Sequence, residues 1–323
     1  MEQAELRSIL ESHQLWLKGE PSGKQAVFQN LPLDDDDGSD FGGFSLNRVI
    51  WINCRFGKPA FEDPIWYGKD GLNGSSFTGC VFPMVSEDID EWDQITSIDG
   101  VIERVDFSNS EFNNCVFASS SFLDCKFTNS VFNNCEMSGS VLSAVGSDPA
   151  FDNVRLVDCN LRGATIMSSS VFQSADLSEC DCSKLSMDMV GMDGSNFTKA
   201  NLYGASMDLC SLNNSNFDEA KLRNACMRNA SLNNSTFIKA NMRDAFLPGS
   251  HLNGAILRGA DLSDGNLNRA DLRGADLSDA DLSRCDLTYA DLRGAIMNGA
   301  ILDGAILTNA YLDNPGLTGV VTD

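Results

Sequence analysis

Large apolar residues recur at every fifth position from 172 to 317. Two positions before each of them stands a small residue, mostly Ala, Ser, Cys or Gly, and the residue between the two is usually polar. A helix repeats its apolar face about every 3.6 residues and a strand about every 2, so neither produces this pattern. A period of five predicts a short extended step followed by a turn. Closing such steps into coils buries the large residues and stacks the coils through backbone hydrogen bonds.

A second spacing, of twenty residues, predicts how many steps make one coil. Phenylalanines stand at 197, 217 and 237, each with a serine two positions before it, and methionines stand at 187, 207 and 227. Four steps per coil explain these columns, because like residues then stack on like between successive coils. We therefore expect Phe217 to lie between Phe197 and Phe237.

The same period divides the rest of the chain. It continues upstream to residue 105, with an insertion at 143–149 and a shift of frame near Ser169. Units between 23 and 104 are weaker, and two acidic stretches there, 33–45 and 83–104, are predicted to be loops. Residues 1–22 place apolar side chains at helical spacing before Gly19 and Pro21, which predicts a capping helix over the first coil. We expect one continuous domain, with irregular first coils over 23–104 and regular repeats over 105–319.

The unit small–Asp/Asn–Leu/Phe–polar–Gly, strongest from 255 to 313, resembles the repeat of the pentapeptide-repeat family. The apolar, His and Trp residues of the segment from Ile9 to Gly19 are similar to the N-terminal caps of many bacterial members. The resemblance implies an all-β fold, a right-handed quadrilateral β-helix with a short N-terminal α-helical cap. Some members protect DNA gyrase, a type II topoisomerase, by imitating DNA, so the resemblance also implies that activity.

Charge and hydropathy exclude several classes of function. The chain has 23 basic and 46 acidic residues among 323, a net charge of -23, and 19 of the acids lie before residue 105. Such a balance does not fit direct binding to nucleic acid or to an anionic membrane. No apolar run approaches the roughly 20 residues that span a bilayer, and the N-terminus lacks the apolar core of a signal peptide. We expect a cytoplasmic protein.

No residue pattern points to catalysis, a metal or a cofactor. His13 on the capping helix and His251 on the coil surface have no nucleophile at a fitting spacing, and no phosphate-binding motif occurs. Nine of the eleven cysteines occupy the small position, where a thiol packs as a small hydrophobe. Cys115 and Cys135 lie twenty apart, but no CxxC or neighbouring histidine supports a metal site. We expect a protein that is not an enzyme, with free thiols typical of a reducing compartment.

Two sets of apolar residues are candidate contact sites for another protein. In the last units the middle position, between the small and the large residue, changes from polar to apolar on four successive faces, at Ile296, Ile301, Ile306 and Tyr311. We call these four residues the C-terminal belt. Because the belt stands beside an expected open strand edge, it predicts docking of a partner or a homodimer through the C-terminal end. The alternative is that Ala-Ile-Leu is a tolerated variant of Ala-Asp-Leu.

The second set consists of tryptophans near the 83–104 stretch: Trp92, Trp51 and Trp66. Aromatic side chains beside acidic loops anchor partners in many interfaces. The alternative is that they pack the irregular first coils.

These observations favour a non-catalytic, rigid protein-interaction scaffold whose partner the sequence does not name. The alternative function is a DNA-mimicking inhibitor or protector of DNA gyrase, which the acidic charge fits. A continuous negative stripe along the coils would favour that alternative.

Overall fold

The computed structural model describes residues 3–30, 32–33, 44, 46–52, 54–56, 72, 75–78, 80, 101–103, 105–123, 125–143, 151, 153–167 and 172–313. The chain forms two compact units, residues 1–160 and residues 161–323, called unit 1 and unit 2 below. Each is a β-helix of parallel coils. The expectation that they act as one continuous domain remains a prediction.

Unit 1 begins with the helix α1 (Gln3–Leu17), and short parallel strands follow. One sheet, in which each strand pairs with the strand of the next coil, contains β1 (Val27–Gln29), β3 (Ile50–Ile52), β5 (Ser76–Thr78), β7 (Glu111–Asn113), β9 (Val131–Asn133) and β11 (Arg155–Val157). A second is built in the same way from β6 (Val101–Glu103), β8 (Ser121–Leu123) and β10 (Val141–Ser143). A third pairs β2 (Pro32–Leu33) with β4 (Arg55–Phe56).

The capping helix is confirmed, and a buried histidine fixes it to the first coils. Leu6, Leu10 and His13 are buried on one face of α1. His13 Nδ1 accepts a hydrogen bond from the Ala26 amide at 3.1 Å, so Nε2 carries the proton and donates to the Asn47 carbonyl at 2.9 Å. Burial lowers the pKa of His13, and the hydrogen bond to Asn47 opposes this effect. The ring is therefore held in its neutral form.

Phenylalanine rings fill the regular coils of unit 1. The register β7–β9 sets Phe112 opposite Phe132, and their rings stack at 4.5 Å between centroids. Phe107 stacks on Phe127 in the same way at 5.1 Å. Within one coil the rings of Phe112 and Phe117 meet edge to face at 5.4 Å. Stacking between coils and edge contacts within a coil are the two arrangements that aromatic rings favour, so the core is held in both directions.

Unit 2 begins with β12 (Thr165–Ile166) and continues as coils in which single residues pair. The pairing repeats at twenty residues, for example Asn196 with Asn216 and Asn216 with Thr236, which confirms four units per coil. The Phe217 ring lies between Phe197 and Phe237, with centroids 4.7 and 4.9 Å away. The amide of each large residue donates to the following coil, and the amide of each middle residue donates to the preceding one. Every inner coil is therefore bonded to both neighbours.

The boundaries of both predicted acidic loops are corrected. Leu33 belongs to β2, which pairs with β4, and Val101–Glu103 is the strand β6, which pairs with β8. The sequence already contained the reason why residues 101–103 form a strand, because Ile102 stands five residues before Phe107 and follows Gly100 by two. Residues 100–104 are therefore a further unit of the regular array, and Ile102 is buried like the other large residues. Most of the remainder of both loops and of the insertion, residues 34–43, 45, 81–100, 104 and 144–150, lies outside the described residues.

Candidate interaction surface

The turns of unit 2 all have one backbone conformation. From 174 to 309 every fifth residue, the second turn position of its unit, has a positive φ between 51° and 72°. Gly and Asn adopt this left-handed conformation with little strain, and other side chains adopt it at a steric cost. Lysine, glutamate, arginine, leucine, methionine and tyrosine also stand there. The repeating fold therefore imposes the conformation even on residues that disfavour it, and displays their side chains at the corners.

Ladders of polar side chains run along the outside of the coils. Asn196 Nδ2 donates to Asp176 Oδ1 of the preceding coil at 2.9 Å, and Asn201 Nδ2 donates to Asp181 Oδ1 at the same distance. On another face Asn233 Nδ2 donates to Asn213 Oδ1 at 3.0 Å. These side chains are engaged in joining coils, as expected for carboxamides stacked at the strand spacing.

Arginines neutralise many of the aspartates of unit 2. Ion pairs join Arg228 to Asp208 (2.6 Å), Arg243 to Asp264 (3.0 Å), Arg273 to Asp271 (2.6 Å), Arg284 to Asp264 (2.5 Å) and Arg293 to Asp291 (2.6 Å). Hydrogen bonds from Arg273 and Arg293 lower the pKa of Asp271 and Asp291. The carboxylates therefore stay charged at neutral pH, but guanidinium groups interrupt the negative surface.

The structure places the four residues of the C-terminal belt as the sequence predicts, one on each face. Each pairs with an aspartate of the preceding coil: Asp276 with Ile296, Asp281 with Ile301, Asp286 with Ile306 and Asp291 with Tyr311. Ile296, Ile306 and Tyr311 are exposed, and Ile301 is half-buried. The Arg293 guanidinium lies 5.8 Å from the centroid of the Tyr311 ring. The role of the belt in binding stays a prediction.

Trp51 cannot be a surface anchor, which corrects one of the sequence predictions. Its side chain is completely buried in unit 1, at the middle of β3, and its ring lies 4.7 Å from that of Phe28. Packing of the first coils, the alternative for this residue, is what the structure shows. Trp66 and Trp92 lie outside the described residues.

Most of the cysteines and His13 are buried among the packed side chains of the coils, whereas His251 is not. Ten of the eleven cysteines are buried, and Cys226, at a middle position, is half-buried. Burial raises the pKa of Cys210 and of Cys285 to about 12, so these thiols stay protonated. His251 is exposed at a middle position. Among the described residues no group of His, Cys, Asp and Glu could hold a metal ion.

One face of unit 2 carries several exposed apolar side chains, of which the sequence analysis named only Ile306. The column of its middle positions begins at Thr165, which pairs with Ser186, and continues through Ser206, Cys226, Phe246, Asn266, Asp286 and Ile306. Together with the two turn positions after each, we call this the Phe246 face. Its exposed apolar side chains are Met167, Met189, Leu209, Phe246, Tyr289 and Ile306. Grouping outward residues at a spacing of twenty would have found them, whereas a list of units of five does not.

The sequence comparison identifies the family. The family model for pentapeptide repeats matches residues 105–143 and 175–314, more than half of the chain. This chain therefore belongs to the pentapeptide-repeat family. Among curated protein sequences, none matches it significantly.

Solved structures with a similar fold include other pentapeptide-repeat proteins. HetL, involved in heterocyst differentiation regulation in the cyanobacterium Nostoc sp. strain PCC 7120, is 19% identical, with 96% of this chain and 94% of HetL covered and a TM-score of 0.35. Full-length QnrB1, a plasmid-mediated fluoroquinolone resistance protein, is 21% identical over 53% of this chain and 92% of its own, with a TM-score of 0.34. A pentapeptide-repeat protein of the Arabidopsis thaliana thylakoid lumen is 33% identical over 30% of this chain and 68% of its own, with a TM-score of 0.29. The family assignment rests on the repeat itself.

Among the residues that the structure describes, no helix is both long enough and apolar enough to cross a membrane.

Proposed function

We propose that this protein is a non-catalytic scaffold that binds another protein, or a second copy of itself, at the C-terminal belt. One observation carries the proposal: the last described coil replaces outward aspartates by isoleucine and tyrosine on all four faces. Ile296 is 46% exposed and Tyr311 is 56% exposed. Exposed apolar side chains grouped in one coil favour burial against a partner.

The non-catalytic part of the proposal is supported by the way each coil uses its side chains. Large and small residues fill the interior, and polar residues on the outside bond to the neighbouring coil or to their own turn. Catalytic acids and bases need a cleft in which their pKa values and positions are matched to a substrate. The carboxylates with lowered pKa values described above are bound to arginines on open faces instead.

The belt is tested by restoring aspartate at two of its positions. The variant Ile296→Asp, Ile301→Asp recreates the Ala-Asp-Leu-like unit of the preceding coil, so the fold should be retained. Quantitative affinity capture, together with light scattering for self-association, should show loss of a bound partner or of the dimer. The matched control is Ile256→Asp, the same position two coils before Ile296 on the same face. Identical capture and mass for wild type and variant would contradict a role of the belt.

Protection or inhibition of DNA gyrase is the second candidate. Its support is the net charge of -23 and the columns in which aspartate pairs with aspartate, Asp261 with Asp281 and Asp271 with Asp291. The arginines at 273 and 293 weaken it, because they neutralise one of these columns. The test is DNA supercoiling by gyrase with the purified protein titrated in, with and without a quinolone. An effect at sub-micromolar concentration would support a DNA mimic, and none at tens of micromolar would exclude it.

We also infer a cytoplasmic location, supported by the free thiols, since oxidising compartments convert such a number of cysteines to disulfides. Fractionation of the native cell with a thiol-labelling assay tests it, and disulfide-bonded protein in an exported fraction would contradict it.

A further inference from the structure

We propose that Asn298 is a site of spontaneous deamidation, at which the side-chain carboxamide becomes a carboxylate through a cyclic imide formed with Gly299. The modification needs water and no enzyme. It stands or falls independently of the proposed function, although the product lies two residues after Ile296 of the C-terminal belt.

The first observation is that the chain contains a matched pair of local sequences. Asn-Gly-Ala-Ile-Leu occurs at 253–257 and again at 298–302. In both copies Asn takes the first turn position and Gly the second, with φ of 67° at Gly254 and 72° at Gly299. Glycine has no side chain to hinder attack by its nitrogen, so an Asn-Gly pair cyclises readily. Because the two asparagines have nearly the same local sequence, the fold decides which of them reacts.

The second observation is that the following coil holds only the first copy. Three backbone hydrogen bonds join the unit of Asn253 to that coil: from Gly254 N to the Arg273 carbonyl at 2.9 Å, from Leu252 N to the Asp271 carbonyl at 2.7 Å and from Asp276 N to the Ala255 carbonyl at 2.9 Å. Asn298 belongs to the last described coil. There the corresponding groups have no hydrogen-bond partner among the residues that the structure describes: Met297 N, Gly299 N and the Ala300 carbonyl.

The remaining surroundings of the two asparagines are similar. The Asn253 carbonyl accepts a bond from the Asn234 amide of the preceding coil at 3.0 Å, and the Asn298 carbonyl accepts one from the Asp279 amide at 2.9 Å. Asn298 is exposed, whereas Asn253 is half-buried. The bonds to the following coil are therefore the main structural difference between the two sites, and exposure to water acts in the same direction.

The chemistry explains why these bonds matter. Gly299 N loses its proton and attacks Asn298 Cγ, the bond from Cγ to the side-chain nitrogen breaks, and ammonia leaves. Water then opens the imide at Cγ to give aspartate, or at the main-chain carbonyl to give isoaspartate. The turn must open before the nitrogen reaches Cγ, and local opening is easiest where few backbone bonds break. Opening at Asn253 breaks three bonds that opening at Asn298 does not.

The first test follows both sites in the same molecule. The full chain is incubated, folded, at mildly alkaline pH, and peptide mass spectrometry measures the conversion of Asn253 and Asn298 over time. Asn298 should convert at least about tenfold faster, since each backbone bond that need not break lowers the cost of opening. Methyl transfer from S-adenosylmethionine by a protein L-isoaspartate O-methyltransferase identifies the isoaspartate. In concentrated urea the two sites should convert at similar rates, because the local sequences are nearly the same.

The second test places an Asn-Gly pair one coil further in on the same face. The double substitution Ser278→Asn, Asp279→Gly does this, and the fold should be retained because Gly259 occupies the same turn position one coil earlier. The amide of residue 279 donates to the Asn298 carbonyl at 2.9 Å, so the introduced pair is held by the following coil. The asparagine introduced at 278 should therefore react as slowly as Asn253. Asn298→Gln should abolish the fast reaction, since glutamine would have to close a larger ring.

Three results would overturn the proposal. The first is equal conversion of Asn253 and Asn298 in the folded chain, and the second is no conversion of Asn298 under conditions where the chain in urea reacts. The third is conversion of the asparagine introduced at 278 as fast as that of Asn298, because position in the last described coil would then not set the rate. Selective conversion at Asn298 that urea makes equal to that at Asn253 is the result that the proposal requires.

Discussion

The regular coils of unit 1 and unit 2 share the five-residue period but fill their cores with different residues. Between 107 and 132 every large residue of unit 1 is phenylalanine, and the small position from 110 to 140 alternates serine and cysteine. Between 252 and 292 every large residue of unit 2 is leucine, and the small position is mostly alanine. Both sets are buried. The comparison teaches that the coil requires one large and one small apolar position and leaves their identity free.

The comparison also shows what a polar atom at the small position requires. Ser130 Oγ donates to the Phe107 carbonyl of the preceding coil at 2.7 Å, and Cys135 Sγ donates to the Phe112 carbonyl at 3.5 Å. In unit 2 Ser235 Oγ makes the same bond to the Leu212 carbonyl at 2.7 Å. A buried hydroxyl without a partner is destabilising, and the neighbouring coil supplies that partner. Alanine is also small enough for this position, and it has no hydrogen-bond donor that needs a partner.

The largest effect is expected from a charge in the large position. Phe217→Asp removes the ring between Phe197 and Phe237 and buries a carboxylate there, so unit 2 should lose at least about 4 kcal/mol of unfolding free energy. Urea unfolding followed by circular dichroism measures the loss. The control is Asn216→Asp, the adjacent outward residue, which should unfold nearly as wild type does. Equal unfolding of Phe217→Asp and wild type would falsify the register of four units per coil.

The next largest loss of unfolding free energy is expected from exchanging phenylalanine and leucine at the large positions. Phe127→Leu in unit 1 removes a ring stacked on Phe107 and Phe151 and leaves a void, with an expected loss of about 1 to 2 kcal/mol. Leu262→Phe in unit 2 forces a ring between Met242 and Leu282, with a loss of about 1 to 3 kcal/mol from overpacking. Urea unfolding of both variants measures these losses of unfolding free energy. Leu262→Met is the volume-conserving control. If either exchange stabilised its unit, the two cores would not be adapted to their own residues.

A smaller effect is expected from the donor at the small position. Ser235→Ala removes the bond to the Leu212 carbonyl and the bond that Ser235 Oγ accepts from the Ser215 amide, with an expected loss of about 1 kcal/mol in urea unfolding. The packing should not change, because Ala255 occupies the same position in the next coil. The control is Ser231→Ala, an outward serine one unit earlier, where water can replace the lost hydrogen bonds. A loss of several kcal/mol for Ser235→Ala would mean that size alone does not define the small position.

The sequence predicts most of the fold because each coil repeats the same two inward positions. The columns of Phe197 and Phe217, the capping helix and the placement of Ile296 at the end of the array all follow from spacing. Trp51 was misassigned although it keeps the five-residue period with Leu46 and Phe56, because the other positions of the units in that region match the repeat weakly. The Phe246 face was missed because it depends on which outward residues share a face, a property of columns twenty apart rather than of neighbours in the chain.

The smallest effect is the one that depends on pH, at the cap of unit 1. His13 has a lowered pKa, mainly from burial, so the folded chain stays unprotonated at a pH where the unfolded chain, with an ordinary value of about 6.5, already binds a proton. Stability should therefore be unaffected by His13 above that pH and should fall as the pH drops below it. Protonation in the folded state would also set an N–H against the amide of Ala26, in place of the acceptor at Nδ1.

The many carboxylates of the chain titrate as well, so the effect of His13 must be measured as a difference. His13→Gln shares every carboxylate with wild type and lacks the titrating ring. Unfolding free energies of both proteins at about pH 7.5 and about pH 5.5, on either side of the ordinary histidine value, should show that wild type loses more on acidification than the variant does. Hydrogen exchange of α1 should respond most, since the ring joins that helix to Ala26 and Asn47. Parallel pH profiles would show that the cap is held by its leucines alone. The cap of unit 1 would then be stabilised in the same way as the core of unit 2, by apolar contacts.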